Sequence, residues 1–375
     1  MRTAILIGFG NIGYCAALDL ADSGFDLTVI DKSEKRLKIA SRRFGFETLR
    51  LNVLKHTSND VLKRFRYAVT SLPGSVAFKV LMRLVDLGVN VVDVSYFPED
   101  PYKLSDLALR RKVKIVIDAG FAPGLSNILL GKFSQKYGGL KVGRIYVGGL
   151  SMDPNIPLGL VLTWSAEDLI DEYVRPARII LNGKQLSVDP LSMVGRIEIP
   201  KLGLMEYFVS DGVRTMLKTF NDAVELVEYT LRYPGHINVM MTLKNLGFLS
   251  EASFKVNGYE ISAKRITSKI LENHLTKDQP DRVVMYLEAI SKRDIFKKFI
   301  LDVPFDDKLN IHAMGKVTGF TLSSIFKLMV DGLISDNGLI VPERLGMDKC
   351  FFNVFNNILR DKGIMVSELD GDVAI

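Results

Sequence analysis

The stretch ILIGFGNIGYCAALDLADSG at residues 5–24 decides the fold that we expect for the first third of the chain. It opens on an apolar run, places three glycines at the spacing GxGxxG, and continues as a helix-forming segment. A second apolar strand follows and ends at Asp31, close to the spacing of about 20 residues at which dinucleotide-binding units carry an acid. Together these features predict a strand, a phosphate-binding turn, a helix and a second strand.

The residues of this turn have separate expected roles. Gly8 permits a tight turn, Gly10 lets a pyrophosphate approach the backbone, and Gly13 lets the helix pack closely on the strand. The backbone N–H groups of Asn11 and Ile12, at the start of the helix, are expected to bind the phosphates. The alternative is a tight turn that binds no ligand.

The acid at the end of the second strand bears on the choice of coenzyme. Asp31 is expected to bind the adenosine ribose hydroxyls, and its charge would repel a 2′-phosphate, which favours NAD over NADP. Lys32, Lys35 and Arg36 follow directly and would attract such a phosphate. NAD is therefore the expected coenzyme, NADP is the less favoured alternative, and Lys32 is included in the binding site.

The composition is that of an ordinary globular protein, and 375 residues allow two or three domains. Despite a net charge of +6, lysine and arginine are scattered, which favours a surface for phosphate or carboxylate ligands over nucleic-acid binding. No run reaches the ~18 apolar residues of a membrane helix, and Asp19 and Asp22 follow too soon for a secretion signal. Because Cys15 and Cys350 match neither a metal site nor a disulfide framework, we expect a cytoplasmic protein. The four histidines form no HExxH or clustered pattern, so we expect no catalytic metal.

Strands and helices alternate up to about residue 128, which predicts a Rossmann-type doubly wound parallel sheet of the α/β class. Hairpins replace crossovers beyond that point. Residues 178–188 and 254–262 each turn at Asn-Gly, and two more antiparallel strands follow. This half is therefore expected to be an α+β domain with a largely antiparallel sheet, before the chain returns to helix at residues 315–330 and 349–361.

Seven stretches together resemble the saccharopine dehydrogenase family: GFGNIG, VTSLPG, VVDVSYF, DAGFAPGLSN, TWSAEDLIDEYVRPARIILNGK, SDGVRTML and TLRYPGH. They occur in family order over roughly residues 4–345 and look closest to the lysine dehydrogenases, which oxidise the side-chain amine of lysine. The resemblance implies a dinucleotide-binding Rossmann domain at residues 1–127 and 313–375. It also implies a substrate-binding and dimerisation domain at residues 128–312, a nicotinamide cofactor and a homodimer.

Two loops that follow predicted strands lie at the carboxyl edge of the expected sheet, where open α/β sheets bind ligands. Ser71, Leu72 and Pro73 are expected to line the adenosine and nicotinamide riboses. Ser95 and Tyr96 are expected to face the nicotinamide or the substrate, with Tyr96 among the catalytic candidates. A simple strand-to-helix turn is the alternative for the first of these loops.

Two charged residues are expected to hold the substrate. Asp118 ends another strand, beside a cofactor that becomes cationic when oxidised, and would orient an amine; a buried capping acid is the alternative. Arg214 is predicted in the first turn of a helix capped by Ser210 or Asp211, where a cation opposes the helix dipole. Binding of a substrate carboxylate explains such an arginine better than a local structural role does.

The turn LRYPGH at residues 231–236 is the sharpest signal of the second domain. Arg232 is expected to hold the α-carboxylate, and His236 is expected to act as general base, because the ordinary pKa of histidine lies near neutrality. A histidine satisfied within the turn is the alternative. In the helix of TWSAEDLIDEY, Asp171 and Glu172 are expected to form a solvated face.

These features predict NAD-dependent oxidative deamination of the lysine side chain to allysine, which cyclises to piperideine-6-carboxylate. The alternatives in the family are a saccharopine dehydrogenase or reductase, whose site must hold two carboxylate arms, and a carboxynorspermidine-type reductase. A non-catalytic nicotinamide-nucleotide sensor on the same fold is the alternative of another class. The expected partners are a small amino-acid substrate and a second copy of the chain, with no nucleic acid and no membrane.

Overall fold

The computed structural model describes residues 2–275 and 278–369, and the chain divides into two compact units. Unit 1 comprises residues 1–132 and 314–364, and unit 2 comprises residues 133–313 and 365–375. The first boundary follows residue 132, where the sequence-based division has 127, and the second falls one residue from the expected position. The roles assigned to the two domains stay proposals.

Unit 1 begins with strands and helices in alternation. The strands are β1 (Arg2–Ile7), β2 (Phe25–Ile30), β3 (Glu47–Leu49), β4 (Tyr67–Thr70), β5 (Asn90–Asp93) and β6 (Lys114–Val116). The helices are α1 (Asn11–Asp22), α2 (Glu34–Phe44), α3 (Asn59–Leu62), α4 (Gly74–Asp86), α5 (Ser105–Arg111) and α6 (Leu125–Tyr137), and the boundary between the units falls within α6.

Unit 2 is richer in strands. Its strands are β7 (Leu140–Ser151), β8 (Ala177–Leu181), β9 (Lys184–Val188), β10 (Val194–Ile199), β11 (Gly203–Ser210), β12 (Glu225–Arg232), β13 (Ser253–Val256), β14 (Tyr259–Ser262), β15 (Asp281–Ser291) and β16 (Phe296–Pro304). Its helices are α7 (Ala166–Val174), α8 (Met216–Thr219), α9 (His236–Asn245) and α10 (Ala263–His274). The chain then continues as α11 (Ala313–Val330), β17 (Gly338–Ile340), α12 (Pro342–Met347), α13 (Lys349–Asp361) and β18 (Ser367–Leu369).

The sheet of unit 1 has the order β17-β6-β5-β4-β1-β2-β3, and all its neighbouring strands run parallel. Six of the strands reproduce the 3-2-1-4-5-6 order of doubly wound nucleotide-binding folds. Residues 4–7 of β1 are buried, as expected for a strand covered by helices on both faces. The predicted Rossmann-type sheet is confirmed. The edge strand β17 was not predicted, because three residues carry too short a periodic signal.

Unit 2 contains a nine-stranded sheet in which β7 and β12 run parallel and the other pairs run antiparallel. Both Asn-Gly hairpins occur where the sequence predicts them, as β8–β9 and β13–β14. Positive φ at Asn182 and Gly183, and again at Asn257 and Gly258, is the conformation that two-residue hairpin turns need. The predicted largely antiparallel sheet is therefore confirmed.

The end of the described chain corrects one domain assignment. Residues 365–369 were expected in the Rossmann domain, but β18 pairs with β16 in the sheet of unit 2. Residues 370–375, which had the same assignment, lie outside the described residues. The outer edge of β16 offers backbone N–H and C=O groups that a further strand can satisfy. Leu369 also packs against the apolar core of that sheet, so both hydrogen bonding and burial draw this segment into unit 2.

A buried aspartate joins the two chain segments of unit 1. Asp19 on α1 accepts hydrogen bonds from Ser323 and Lys327 of α11 and from Lys362, just beyond α13. Burial opposes ionisation of Asp19, but the two lysines and the Ser323 hydroxyl outweigh it and hold its pKa below the ordinary value. The returning C-terminal segment is thereby attached to the helix that follows the glycine turn.

We predict that Asp19→Ala lowers the free energy of unfolding by roughly 3–5 kcal/mol, because it leaves the ammonium of Lys327 buried without its counter-ion. Urea denaturation of the full chain measures the effect. Asp22→Ala, on the exposed side of the same helix, is the matched control and should change stability by less than about 0.5 kcal/mol. Equal losses in the two variants would contradict this role of Asp19.

Candidate functional site

The three glycines of the turn have different surroundings. A Cβ on Gly8, whose φ is +94°, would lie 2.1 Å from the carbonyl oxygen of Ser71, and a Cβ on Gly13 would lie 2.1 Å from that of Gly8. Both glycines are therefore required by the packing of the chain itself. At Gly10 the nearest atom to a Cβ is Nη1 of Arg36 at 4.0 Å. Glycine is not required there by the packing of the chain, and the space is available to a ligand.

The start of α1 is suited to an anion. Its N-cap residue is Gly10, which supplies no side-chain cap, and no acidic residue lies in the first turn. The helix dipole therefore acts on this position without a carboxylate to neutralise it, and phosphate groups bind at such helix ends. Asn11 is exposed and Ile12 partly exposed, whereas Gly13 is buried. The predicted phosphate-binding roles fit this arrangement and stay predictions.

Asp31 connects the glycine turn to the end of β2. Its two carboxylate oxygens accept hydrogen bonds from the backbone N–H groups of Phe9 at 2.8 Å and Ser33 at 2.7 Å. Nη1 of Arg36 lies 3.6 Å from the same carboxylate, and Lys32 is exposed. The region expected to receive the adenosine ribose thus holds one buried anion and the exposed cations Lys32 and Arg36.

The loops after β4 and β5 meet at a buried carboxyl group. Asp93 is fully buried and accepts hydrogen bonds from the hydroxyls of Thr70 and Ser95. Burial and, to a smaller extent, the charge of Asp118 raise the pKa of Asp93 to about 7, although the hydrogen bonds from Thr70 and Ser95 lower it. Ser95 itself is buried and its oxygen accepts the N–H of Leu72. Ser95 thus has a structural role in addition to the coenzyme contact that the sequence predicts.

The remaining candidates of unit 1 lie around the same edge of the sheet. Ser71 and Leu72 are partly exposed, and Pro73 is exposed as the N-cap of α4. The carbonyl oxygen of Tyr96 packs against the α-carbon of Gly74, where a Cβ would approach to 2.1 Å. Asp118, which is buried and follows β6, has a φ of +52°. This left-handed backbone conformation costs energy in a residue other than glycine.

In unit 2, Arg232 is the centre of a buried polar network. Its guanidinium donates to Glu172 at 2.7 Å, to the Tyr173 hydroxyl at 3.1 Å and to the carbonyl of Leu231 at 2.9 Å, and the residue is 1% exposed. Burial raises the pKa of Glu172, although the charge of Arg232 opposes the shift. Arg232 thus has a carboxylate partner within its own unit. The predicted binding of the substrate carboxylate is not favoured by this geometry.

His236, at the start of α9, uses both ring nitrogens. Nδ1 lies 3.0 Å from the carbonyl oxygen of Leu158, and Nε2 lies 2.8 Å from the hydroxyl of Tyr173. Since a carbonyl only accepts, Nδ1 carries the proton and Nε2 accepts from the tyrosine. Burial, together with the charge of Arg232, lowers the pKa of His236 to about 3. The predicted role as general base is thus weakened in favour of a histidine satisfied within the fold.

Arg214 does not occupy the position that the sequence predicts. The short helix α8 begins two residues later with Thr215 as its N-cap, and Arg214 precedes it with a φ of +39°. The expected cap Asp211 binds Arg178 instead, through both carboxylate oxygens, at 2.9 and 2.7 Å. The helix-dipole argument for Arg214 is therefore wrong, but its burial and its unusual backbone keep it a candidate for carboxylate binding.

The expected solvated face of α7 is also wrong. Asp171 pairs with Arg175 of the same helix at 3.0 Å and with Lys264 of α10 at 2.6 Å, and Glu172 pairs with the buried Arg232. Polar residues at helical spacing show which side of a helix they share, but not whether a partner lies opposite. Tyr173 is not among the residues predicted from the sequence, where its only signal was its place beside Glu172 in a family-like motif.

Two negative findings limit the kind of site present. Over residues 2–275 and 278–369, no group of three or more histidine, cysteine, aspartate or glutamate residues is arranged to hold a metal ion. Among the helices that the structure describes, none is long and apolar enough to cross a membrane.

Comparison with known protein families agrees with the resemblance of the motifs. Residues 4–120 match the saccharopine dehydrogenase NADP binding domain, and residues 120–364 match the saccharopine dehydrogenase C-terminal domain. An α-aminoadipic semialdehyde synthase of Arabidopsis thaliana is 27% identical over 66% of this chain and 25% of its own length. A saccharopine dehydrogenase (NADP(+), L-glutamate-forming) of Schizosaccharomyces pombe is 23% identical over 64% of this chain and 53% of its own. The chain thus spans a quarter to about half the length of these relatives.

Two solved structures share the fold. Apo saccharopine dehydrogenase (L-Glu forming) from Saccharomyces cerevisiae aligns with a TM-score of 0.80 and 17% identity, over 99% of this chain and 100% of that one. The homospermidine synthase from Legionella pneumophila in complex with NAD aligns with a TM-score of 0.67 and 16% identity, over 99% and 92%. At these identities the likeness establishes the fold.

We predict that Gly10→Ala folds with nearly wild-type stability but weakens NADH binding at least ~10-fold, because its methyl group fills space needed by the pyrophosphate. Gly13→Ala should instead unfold at markedly lower temperature, since its methyl group would meet the Gly8 carbonyl. Thermal unfolding and NADH fluorescence titration measure the two effects. Unchanged NADH affinity in Gly10→Ala would contradict the phosphate-binding role.

The neutral His236 predicts a pH dependence of stability. Because its pKa is about 3 in the fold and 6.5 ordinarily, the unfolded chain binds the extra proton first. Its contribution is therefore complete above pH 6.5 and lost as the pH falls towards 3, by at most about 1.4 kcal/mol per pH unit. His236→Gln should flatten this part of the urea-denaturation profile. The exposed His274→Gln is the control, and an identical slope in both would contradict the assignment.

Proposed function

The chain belongs to the saccharopine dehydrogenase family, and from that premise we propose that it oxidatively deaminates the side-chain amine of L-lysine with NAD as coenzyme. Members of the family are NAD(P)-dependent oxidoreductases that act on CH–NH groups. The observation that carries the proposal is the glycine turn, in which two glycines are fixed by packing and Gly10 alone leaves room for a ligand at a helix start. The space beside Gly10 is where a pyrophosphate can approach the backbone.

The proposed preference for NAD rests on Asp31. Its carboxylate lies at the end of β2, where a ribose hydroxyl would donate to it and a 2′-phosphate would be repelled. Arg36, at 3.6 Å, partly offsets that charge, which keeps NADP as the alternative. The S. pombe relative is named for NADP, so the support for NAD does not come from that relative. It comes from the negative charge of Asp31 at the end of β2.

The proposed substrate has a single carboxylate because five buried or half-buried arginines of unit 2 already pair with carboxylates. Each of them has a carboxylate partner within 3.0 Å in its own unit, namely Arg144, Arg175, Arg178, Arg232 and Arg282. A site for two carboxylate arms needs additional cations, as saccharopine would. Lysine needs one, and we propose Arg214 as the holder of its carboxylate because this arginine is buried and has an unusual backbone conformation.

The remaining roles follow from the chemistry of the reaction. The carbon that bears the amine loses a hydride, which the nicotinamide accepts, the ammonium loses a proton, and water replaces the nitrogen of the resulting imine. The products would be the aldehyde, ammonium, the reduced coenzyme and one proton. We assign Asp118 to orient the amine and Tyr96 to face the reacting carbon. Both follow strand ends of unit 1, at the edge where such sheets bind ligands.

A saccharopine-oxidising enzyme is the second candidate, favoured by the names of the relatives. It would produce glutamate from saccharopine and leave lysine untouched. A nucleotide sensor would bind the coenzyme and turn over neither amine. These three possibilities, together with carboxynorspermidine-type amines as a further substrate class, are distinguishable in one assay.

We predict that the purified chain reduces NAD in the presence of L-lysine alone, releases ammonium in equal amount, and does so faster with NAD than with NADP. The measurement is the absorbance of the reduced coenzyme, with lysine, saccharopine or carboxynorspermidine as substrate. Glutamate release with saccharopine and no reaction with lysine would overturn the choice of substrate. Coenzyme binding without turnover of any amine would favour the sensor.

A further inference from the structure

The hydrogen bonds around Asp93 form a directed chain at the carboxyl edge of unit 1. The hydroxyl of Thr70 donates to Oδ1 of Asp93 at 2.5 Å, and the hydroxyl of Ser95 donates to the same oxygen at 2.7 Å. The backbone N–H of Ser95 donates to Oδ2 at 3.0 Å. The carboxyl group therefore accepts three hydrogen bonds, two of them from Ser95, and fixes that residue from both sides.

The orientation of Ser95 decides what it can accept. Because its hydroxyl proton points at Asp93, the lone pairs of its oxygen are left for another donor, and the N–H of Leu72 occupies them at 3.0 Å. Leu72 lies in the loop after β4, two residues after Thr70. Asp93 thus acts on the backbone of the neighbouring loop without touching it.

That loop lies against the glycine turn. The N–H of Ser71 donates to the carbonyl of Ile7 at 3.0 Å, and the carbonyl oxygen of Ser71 packs on the α-carbon of Gly8. The side chain of Leu72 would be 3.3 Å from a Cβ at Gly8. A shift of the loop after β4 therefore moves the surface on which the turn rests.

We propose that Asp93 is a positioning residue for the coenzyme: through the Ser95 hydroxyl it sets the backbone of Leu72 against the glycine turn, and it does not itself contact the coenzyme. The inference rests on the proposed nicotinamide-dependent function and adds Asp93 to it. It also changes the role of Ser95, which the sequence places in direct contact with the coenzyme.

A double-mutant cycle on the full chain tests whether Asp93 acts through Ser95, with NADH fluorescence titration as the readout. Asp93→Asn and Ser95→Ala should each weaken NADH binding ~10-fold. The double variant should also bind NADH only ~10-fold more weakly than wild type, because both substitutions interrupt the same hydrogen bonds from Asp93 through Ser95 to Leu72. A ~100-fold loss in the double variant would show two independent effects and overturn the proposal. Unchanged affinity in the single variants would overturn it as well.

Matched controls separate positioning from general loss of stability. Asp19→Asn and Ser58→Ala also remove hydrogen bonds of buried polar groups in unit 1, away from the loop. They should lower the melting temperature and leave the NADH dissociation constant within about twofold. Ser95→Thr keeps the hydroxyl and should restore binding relative to Ser95→Ala. If the controls weaken NADH binding as much as the network variants do, the proposal fails.

The wild-type chain provides a measurement that requires no variant to fold. Asp118 is the charged group that acts on Asp93, and the hydroxyls of Thr70 and Ser95 are its side-chain partners. Protonation of Asp93 removes one acceptor from the network, so NADH affinity should fall as the pH drops through about 7. A flat profile would contradict the inference. Wild-type protein that binds no NADH at any pH overturns the proposed function itself.

Discussion

The structure of unit 1 depends on the contact of backbone with backbone at the carboxyl edge of its sheet. Gly8 packs against the carbonyl oxygen of Ser71, Gly13 against that of Gly8, and Gly74 against that of Tyr96. In each place a Cβ on the glycine would lie 2.1 Å from that oxygen. No side chain separates these segments. The loops after β1, β4 and β5 therefore fit together in one arrangement, and a methyl group at any of the three glycines forces them apart.

Such close contact requires that the backbone polar groups in it be satisfied locally. The N–H of Phe9 is bound by Asp31, and the N–H of Leu72 by Ser95, which Asp93 orients. An unsatisfied buried N–H would cost about 1–3 kcal/mol. The acids at the ends of β2 and β5 thus have a structural part in the same loops where the proposed function places the coenzyme. The proposed binding residues and the residues that support them belong to one hydrogen-bonded set.

The sequence predicts those features whose cause is local. Apolar runs and the glycine spacing predict the parallel sheet, and Asn-Gly pairs predict both hairpins, because each signal lies within a few residues. Pairings between distant residues have no such signal: Arg232 and Glu172 lie 60 positions apart, and the three-residue strand β18 lacks a period. The prediction for Arg214 failed for another reason. Asp211 is a residue type that often caps helices, but its two carboxylate oxygens accept hydrogen bonds from Arg178 instead. In each case a tertiary partner overrides the local preference.

The buried charges of unit 2 are best explained by orientation rather than by stability. Removing Arg232 and Glu172 from water is costly, and well-packed apolar residues in the same place would often serve stability equally well. An apolar cluster, however, would not select one orientation of Tyr173. With the arginine donating to its oxygen at 3.1 Å, the tyrosine hydroxyl directs its own proton at Nε2 of His236. The ion pair, the tyrosine and the neutral histidine therefore hold α7, β12 and the start of α9 in one relative orientation.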